Sequence, residues 1–552
     1  MNRVTRRGFA VAAAFVAASL MAACSPPPPA GGGAQTPGTS GAATAPAGGT
    51  TKSLTIWLQQ KPDFMSPFKG QTYGNSSILL LTQDSLAYLD EKGELQPRVA
   101  TKWNMSSDGK TLTMTIADQK FSDGTPMTAD DVVWSINAYG NPATKSPTAA
   151  VLKSVEGFAE FQSGAAKSLS GVKKVDDRTV SVTLSAADSG FQYLFLGSNF
   201  WILPSKALAD QDLTKIAESE IWTTPGKVAG LGPMTMTANV TGQRVEFAKN
   251  PNYRTPIKFD TLTEVLVTQD VATSQLRSGE IDLTLVAPTD VATVKGMTGI
   301  KTITADTPGY DRYAINNTLP KFANPKVKQG LLTAIDRAGI IKSVYSDQAV
   351  PWNSSFTAQK IKFDALNKYS YDPAKAKQLL TEGGWDFNTE VVIWQANGNA
   401  FRASVNQVVL KNWQDIGVKA RINPQDQAQQ TQVIPDKSYD VFLFGGGNYL
   451  SDPSINSPMM TCAGAFPKGA AVGYYCNPKV DELFTQAAAT TDETKRADLL
   501  NQAAVISNND VDQLWIARPT RVYAHSSKIT GGLVGGDGIP NVLYSIHNWT
   551  VS

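Results

Sequence analysis

The chain has 552 residues, with 50 Lys and Arg against 48 Asp and Glu, three cysteines and two histidines. That length accommodates two or three domains with buried cores. The balanced charge argues against a nucleic-acid partner, which would select a basic face, and so few Cys and His leave little material for a metal centre.

At the amino end Arg3, Arg6 and Arg7 precede an uncharged stretch from Gly8 to Ala23. This predicts a signal peptide over 1–23, too short to remain as a spanning helix. Leu20-Met21-Ala22-Ala23-Cys24 resembles a lipobox, so Cys24 is expected to carry lipid and anchor the protein to the membrane from outside. Thr5-Arg6-Arg7-Gly8-Phe9 also resembles a twin-arginine export signal, and the choice between that route and Sec stays open. Residues 24–51, almost all Pro, Gly, Ala, Thr and Ser after the cysteine, have nothing large and apolar to bury and are expected to form a disordered tether. As a flexible coil it would reach roughly 28 Å.

The body opens on Leu54-Thr55-Ile56-Trp57-Leu58, a short apolar run expected to be a buried strand. A helix is expected from Ser77 to Leu89, then a turn at Lys92-Gly93. Trp103 to Ile116, interrupted by Ser107-Asp108-Gly109-Lys110, predicts a hairpin. Thr128-Ala129-Asp130-Asp131 predicts a capped helix start. Further strands are expected at Arg178 to Leu184, Arg244 to Ala248, Glu264 to Thr268, Glu390 to Ile393 and Val441 to Phe444. Further helices are expected at Gln329 to Ser343, Pro373 to Glu382, Ala403 to Ile416 and Val480 to Asn509. The alternation predicts an α/β fold, and Trp103, Trp134, Trp413 and Trp515 fall at core positions within it.

Chemistry is sparse. No G-x-S-x-G, H-E-x-x-H or phosphate-loop pattern occurs, and Gly445-Gly446-Gly447 lacks the lysine a phosphate loop needs. Asp130 and Asp131 are adjacent on a helix and point about 100° apart, so they do not flank one substrate atom. Both histidines, His525 and His547, lack a neighbouring ligand cluster. Cys462 and Cys476 are expected to form a disulfide after export, the alternative being two buried thiols.

Several segments resemble one family. Pro97-Arg98-Val99-Ala100-Thr101-Lys102-Trp103 and Lys120-Phe121-Ser122-Asp123-Gly124-Thr125-Pro126-Met127-Thr128-Ala129-Asp130-Asp131-Val132 are similar to signature segments of the solute-binding proteins of dipeptide, oligopeptide and nickel ABC importers (family 5). Gly230-Leu231-Gly232-Pro233, Ala334-Ile335-Asp336-Arg337 and Tyr371-Asp372-Pro373 continue the likeness in order. The resemblance implies a two-lobed periplasmic-binding-protein-like fold of type II with two crossing hinge strands. By that pattern the first lobe is 52–305 with an extra subdomain near 76–204, the second is 306–519, and 520–552 returns to the first. Asp306-Thr307-Pro308-Gly309 and Arg518-Pro519 are the expected hinge neighbourhoods.

The resemblance also implies a monomeric receptor without enzyme activity, cofactor or metal. It would take a peptide-like or other small polar solute and deliver it to permease subunits with cytoplasmic ATPases. A secreted hydrolase or an envelope scaffold on the same fold is the alternative. Ligand contacts are expected at strand ends, from Phe64, Met65, Trp394, Gln395, Asn397, Gly445, Gly446, Gly447, Asn448, Tyr449 and Asp452. In oligopeptide-binding relatives an aspartate that meets the ligand's ammonium stands where Tyr449 does, so a peptide gripped by its free amino end is not expected. Asp452 is the acid that could replace it.

Overall fold

One long strand, Leu514–Ser526, joins the two halves of the molecule in a computed structural model. The structure describes residues 51–552 apart from Gln71, 91–93, Asn199, Pro308, 358–359, 427–428, 448–451 and 536–538. The signal peptide, Cys24, the tether, the Lys92-Gly93 turn, Asn448 and Tyr449 lie outside the described residues.

The long strand is rich in aromatic and β-branched residues, which suit a buried pleated surface. Its first half pairs antiparallel with Gly309–Ile315 and Ala349–Pro351, its second half with Leu283–Val286 and Ile300–Asp306. Beyond Gly309–Ile315 the sheet continues through Val441–Gly447, Glu390–Ala396 and Lys419–Gln425. Beyond Leu283–Val286 it continues through Ser53–Trp57, Thr261–Val265, Arg244–Lys249 and Met234–Val240.

Separate cores form on the two halves. One gathers Leu54, Ile56, Trp201 and Trp549, and the other Tyr313, Trp413, Trp515 and Ile516. A further cluster joins helices Pro478–Ala488 and Glu493–Asp510 through Leu483, Phe484, Leu500 and Ala503, and Phe363 packs against both it and the second core. Trp413 and Trp515 are therefore core residues, whereas Trp103 and Trp134 are partly buried against the first core.

Pro519 sits mid-strand, where it has no N–H to give to a ladder. Its carbonyl instead accepts from the Thr307 amide at 3.3 Å and the Thr307 hydroxyl at 2.8 Å. Ile300–Asp306 ends and Gly309–Ile315 begins at this point, so two segments cross side by side. The result is a two-lobed α/β fold with two crossing strands. A four-stranded antiparallel sheet, in the order Ala100–Met105, Thr111–Ile116, Thr179–Thr183, Val172–Asp176, sits with helix Ala129–Gly140 on the first lobe.

Local chemistry corrects several expected boundaries. The first helix is Tyr73–Thr82 and stops seven residues before Leu89. Asp84 is fully buried there, ion-paired with Arg98 at 2.9 Å and with Arg254, and the chain re-enters as strand Ala87–Leu89. The helix expected over Gln329 to Ser343 is two, Pro325–Thr333 and Arg337–Val344, because Asp336 caps the second through the Gly339 amide. The expected helix Val480 to Asn509 breaks similarly, where the Asp492 carboxylate accepts from the Thr494 and Lys495 amides. Strand Val441–Gly447 runs through all three glycines, which are ladder residues opposite Gly309, Tyr310 and Asp311 rather than a loop.

Candidate ligand-binding cleft

Strands Glu390–Ala396, Lys419–Gln425 and Val441–Gly447 are mutually parallel. The carboxyl end of Val441–Gly447 meets Gly309, beside the crossing strands. In α/β sheets the carboxyl ends of parallel strands open onto the crevice where ligands bind. Helix Ala400–Asp415 starts just after the first of these strands, with Asn399 as its cap through the Arg402 amide at 2.9 Å. Its positive end therefore lies beside the same strand ends.

Three side chains converge here. The Asp311 carboxylate accepts a hydrogen bond from the Tyr345 hydroxyl at 2.7 Å. Burial pushes that carboxyl above its ordinary range, against the opposing pull of the Tyr345 hydroxyl and of the Arg402, Arg312 and Arg521 charges. Gly445 lies directly opposite Asp311, and a Cβ on it would stand 2.8 Å from Asp311 Oδ1 and 4.0 Å from an Arg402 terminal nitrogen. A side chain at 445 would press on that carboxylate. Arg402 is half-buried and its guanidinium makes no hydrogen bond or ion pair among the described residues. Phe401 beside it is exposed and meets Tyr345 edge to face at 5.0 Å.

Arg312 is engaged differently. It is buried between the Tyr310 and Phe444 rings, each 5.0 Å away, and its Nε donates to Gln513 at 2.8 Å. Its charge belongs to the interior of the second lobe.

The residues singled out from sequence fall in several environments. Gly445, Gly446 and Gly447 lie on the strand just described. Gln395 accepts from the Asn406 amide at 2.9 Å, and Asn406 in turn accepts from the buried Tyr313 hydroxyl. Asn397 is exposed, with its amide donating to the Gln425 carbonyl at 2.8 Å.

Trp394 is inside the strand rather than after it, because the strand extends to Ala396. It is 5% exposed and packs edge to face on Phe442. Phe64 is exposed beneath the Lys69 ammonium, 4.5 Å from its ring centre. Met65 turns inward to a first-lobe cavity of about 270 Å³ shared with Ile78, Trp222 and Met234.

Asp452 lies in the interior. It is fully buried and held by both terminal nitrogens of Arg496, and it also caps the turn after it through the Ser454 amide at 2.9 Å. Asp452 is thus committed to Arg496, whereas Asp311 is bonded to Tyr345 and only opposed at a distance by the arginine charges. Cys462 and Cys476 are bridged, with Cα atoms 4.3 Å apart.

The signature segments hold structure together. The Asp131 carboxylate accepts from the Thr128 amide at 2.8 Å and from the Ser205 amide at 2.9 Å, while Asp130 meets Lys174 at the surface. The two acids thus have separate partners. Arg98 lies against the Tyr88 and Tyr544 rings while pairing with Asp84.

Residues 94–467 match the bacterial extracellular solute-binding proteins, family 5 (middle). The chain belongs to that family. As a family 5 solute-binding protein it is 26% identical over 516 residues to the dipeptide-binding protein of Escherichia coli (strain K12), covering 89% of this chain and 94% of that one. It is 27% identical over 464 residues to heme-binding protein A of Haemophilus influenzae, covering 79% and 81%. The ABC transporter substrate binding protein CtaP of Listeria monocytogenes superposes with a TM-score of 0.78 at 23% identity, over 91% of this chain and 99% of that one. Family members of this kind are extracytoplasmic binding proteins rather than enzymes.

Sequence reasoning missed Arg402, Asp311 and Tyr345. A signal existed for the first two: an Asp-Arg pair inside an apolar strand next to the hinge, and an arginine in the first turn of a helix that follows a strand.

Proposed function

We propose that this protein is the receptor of a peptide-type ABC importer, anchored by lipid at Cys24, that closes over a peptide-like solute and reads its carboxylate with Arg402. The observation that carries this reading is the uncommitted Arg402 guanidinium. It stands at the carboxyl end of parallel strands and the amino end of a helix, beside a glycine strand that leaves main-chain room. Gly445, Gly446, Gly447, Asn397 and Gln395 line the same end, and Asn448 and Tyr449 follow in sequence. Lobe boundaries at 305/306 and 519/520 would place the hinge at the Thr307–Pro519 contact. Closure then traps the solute by preferential affinity for the closed state, which the permease recognises.

Of the described acids near the strand ends, Asp452 is paired with Arg496 and Asp311 is bonded to Tyr345 and opposed by arginine charge, while Asp426 is exposed at the end of Lys419–Gln425 with the Asn397 side-chain amide 3.4 Å away. Neither of the first two supplies a ready acidic anchor for a free amino terminus.

Native mass spectrometry of the purified protein identifies what it carries from the cell. Calorimetry then compares Ala-Phe-Ala with its amino-acetylated and carboxy-amidated forms. Amidation is expected to weaken binding at least tenfold and acetylation to matter little. Tight binding that survives amidation but falls about a hundredfold, near 2.7 kcal/mol, on acetylation would sink the reading.

A further inference from the structure

The segment Asp188–Tyr193 belongs by its packing to the first lobe, since Phe191 and Phe195 are part of the first core. Yet Ser189 and Tyr193 send polar groups to the other half of the molecule. The Ser189 amide donates to the Ala488 carbonyl at 3.0 Å and its hydroxyl to the Ala487 carbonyl at 3.2 Å, at the end of helix Pro478–Ala488. The Tyr193 hydroxyl donates to Glu493 at 2.7 Å, in the first turn of helix Glu493–Asp510. Lys360 and Arg496 lie over the Tyr193 ring at 4.8 and 5.4 Å.

Gly190 is the tightest point. Its φ of −77° and ψ of −19° are open to any residue, so backbone geometry does not call for glycine. A Cβ there would lie 2.5 Å from Ser454 Oγ and 2.8 Å from an Arg496 nitrogen. What excludes a side chain is the opposite lobe, presented by the Asp452–Arg496 pair and the Ser454 hydroxyl bound to it at 2.8 Å.

We propose that Asp188–Tyr193 is a closing latch, the first-lobe half of a contact that seats on Ser454, Arg496 and the two helices, holds the cleft predominantly shut even without a solute, and so sets how tightly the closed receptor retains what it binds. The proposal rests on the two-lobed receptor reading. The contact lies between lobes that meet covalently only at the crossing strands, so opening about those strands parts it. Asp452, passed over as a ligand group, gains a role: it fixes Arg496 and Ser454 in place to receive Gly190.

The test compares wild type, Gly190→Leu and Glu493→Lys by small-angle scattering and amide exchange, with no ligand added. Glu493 is exposed, so its variant keeps both lobes intact even where leucine at 190 disturbs the local fold. The latch predicts a larger radius of gyration in both variants and at least about tenfold faster exchange at 188–193 and 487–489. Protection within Thr111–Ile116 and Thr179–Thr183 stays unchanged. Superposable scattering curves with equal exchange at 188–193 in all three proteins would overturn it. Neither measurement uses a solute, so failure of the latch is distinct from failure of the receptor reading, which would appear as no bound solute and no peptide affinity.

Discussion

Asp452 and Arg496 form an ion pair with no access to water, so each depends on the other. Removing one partner leaves an uncompensated buried charge, and Asp452→Ala is expected to cost about 3–5 kcal/mol of stability in urea unfolding. Arg402 is the opposite case, a guanidinium with no hydrogen bond or ion pair among the described residues. Arg402→Ala should leave stability within about 0.5 kcal/mol while weakening a carboxylate-bearing peptide by about 1.5–3 kcal/mol in calorimetry. A stability loss for Arg402→Ala as large as that for Asp452→Ala would refute this division.

Glu264 offers a pH test. It is fully buried in the first-lobe sheet, with the Ser77 hydroxyl as its partner on Oε1 and none among the described residues on Oε2. Burial raises its pKa from 4.5 to about 8. Between those values the folded form holds a proton that the unfolded form has released, so stability falls as pH rises through that window and the full penalty stands above pH 8. Glu264→Gln removes the titration. Relative to that variant, wild type should lose several kcal/mol between about pH 5 and 8. Parallel stability curves for the two proteins would refute the assignment.

At the level of elements, what was legible in the sequence followed local rules. The strand at Leu54, the hairpin around Asp108-Gly109, the Thr128 cap and helix Pro373–Glu382 stand where periodicity and turn chemistry put them. Misplaced boundaries arose where a side chain's partner is distant in sequence. Asp84 ends a helix through Arg98 and Arg254, and Gly445 stays in a strand because Asp311 stands opposite. The site was half legible for the same reason. Glycines and strand ends are visible locally, but that Asp311 is held by Tyr345 and Asp452 by Arg496 depends on contacts 34 and 44 residues away. The disulfide closes a 14-residue separation, and replacing both cysteines with serine should lower the urea midpoint by the equivalent of about 3 kcal/mol. An unchanged midpoint would mean the reduced loop is already as constrained.

For the whole molecule, no helix among the described residues is long and apolar enough to cross a membrane. The proposed attachment is the lipid at Cys24, which a single substitution tests. Cys24→Ser should move the protein from the membrane fraction to the soluble one, read by fractionation and immunoblot. A correctly cleaved variant retained on the membrane would point to another anchor.

The long strand Leu514–Ser526 has a consequence for how the chain is made. It supplies the central partner of both halves of the large sheet, yet it comes after nearly all the residues it organises. Until it arrives, Gly309–Ile315 and Leu283–Val286 each present an unpaired edge. Neither half of the large sheet can be completed until residues 514–526 have been made. A chain stopped before residue 514 would expose both edges at once and should be recovered as aggregate. Separate expression of the two lobes should fail for the same reason, unless each is given its own copy of that strand.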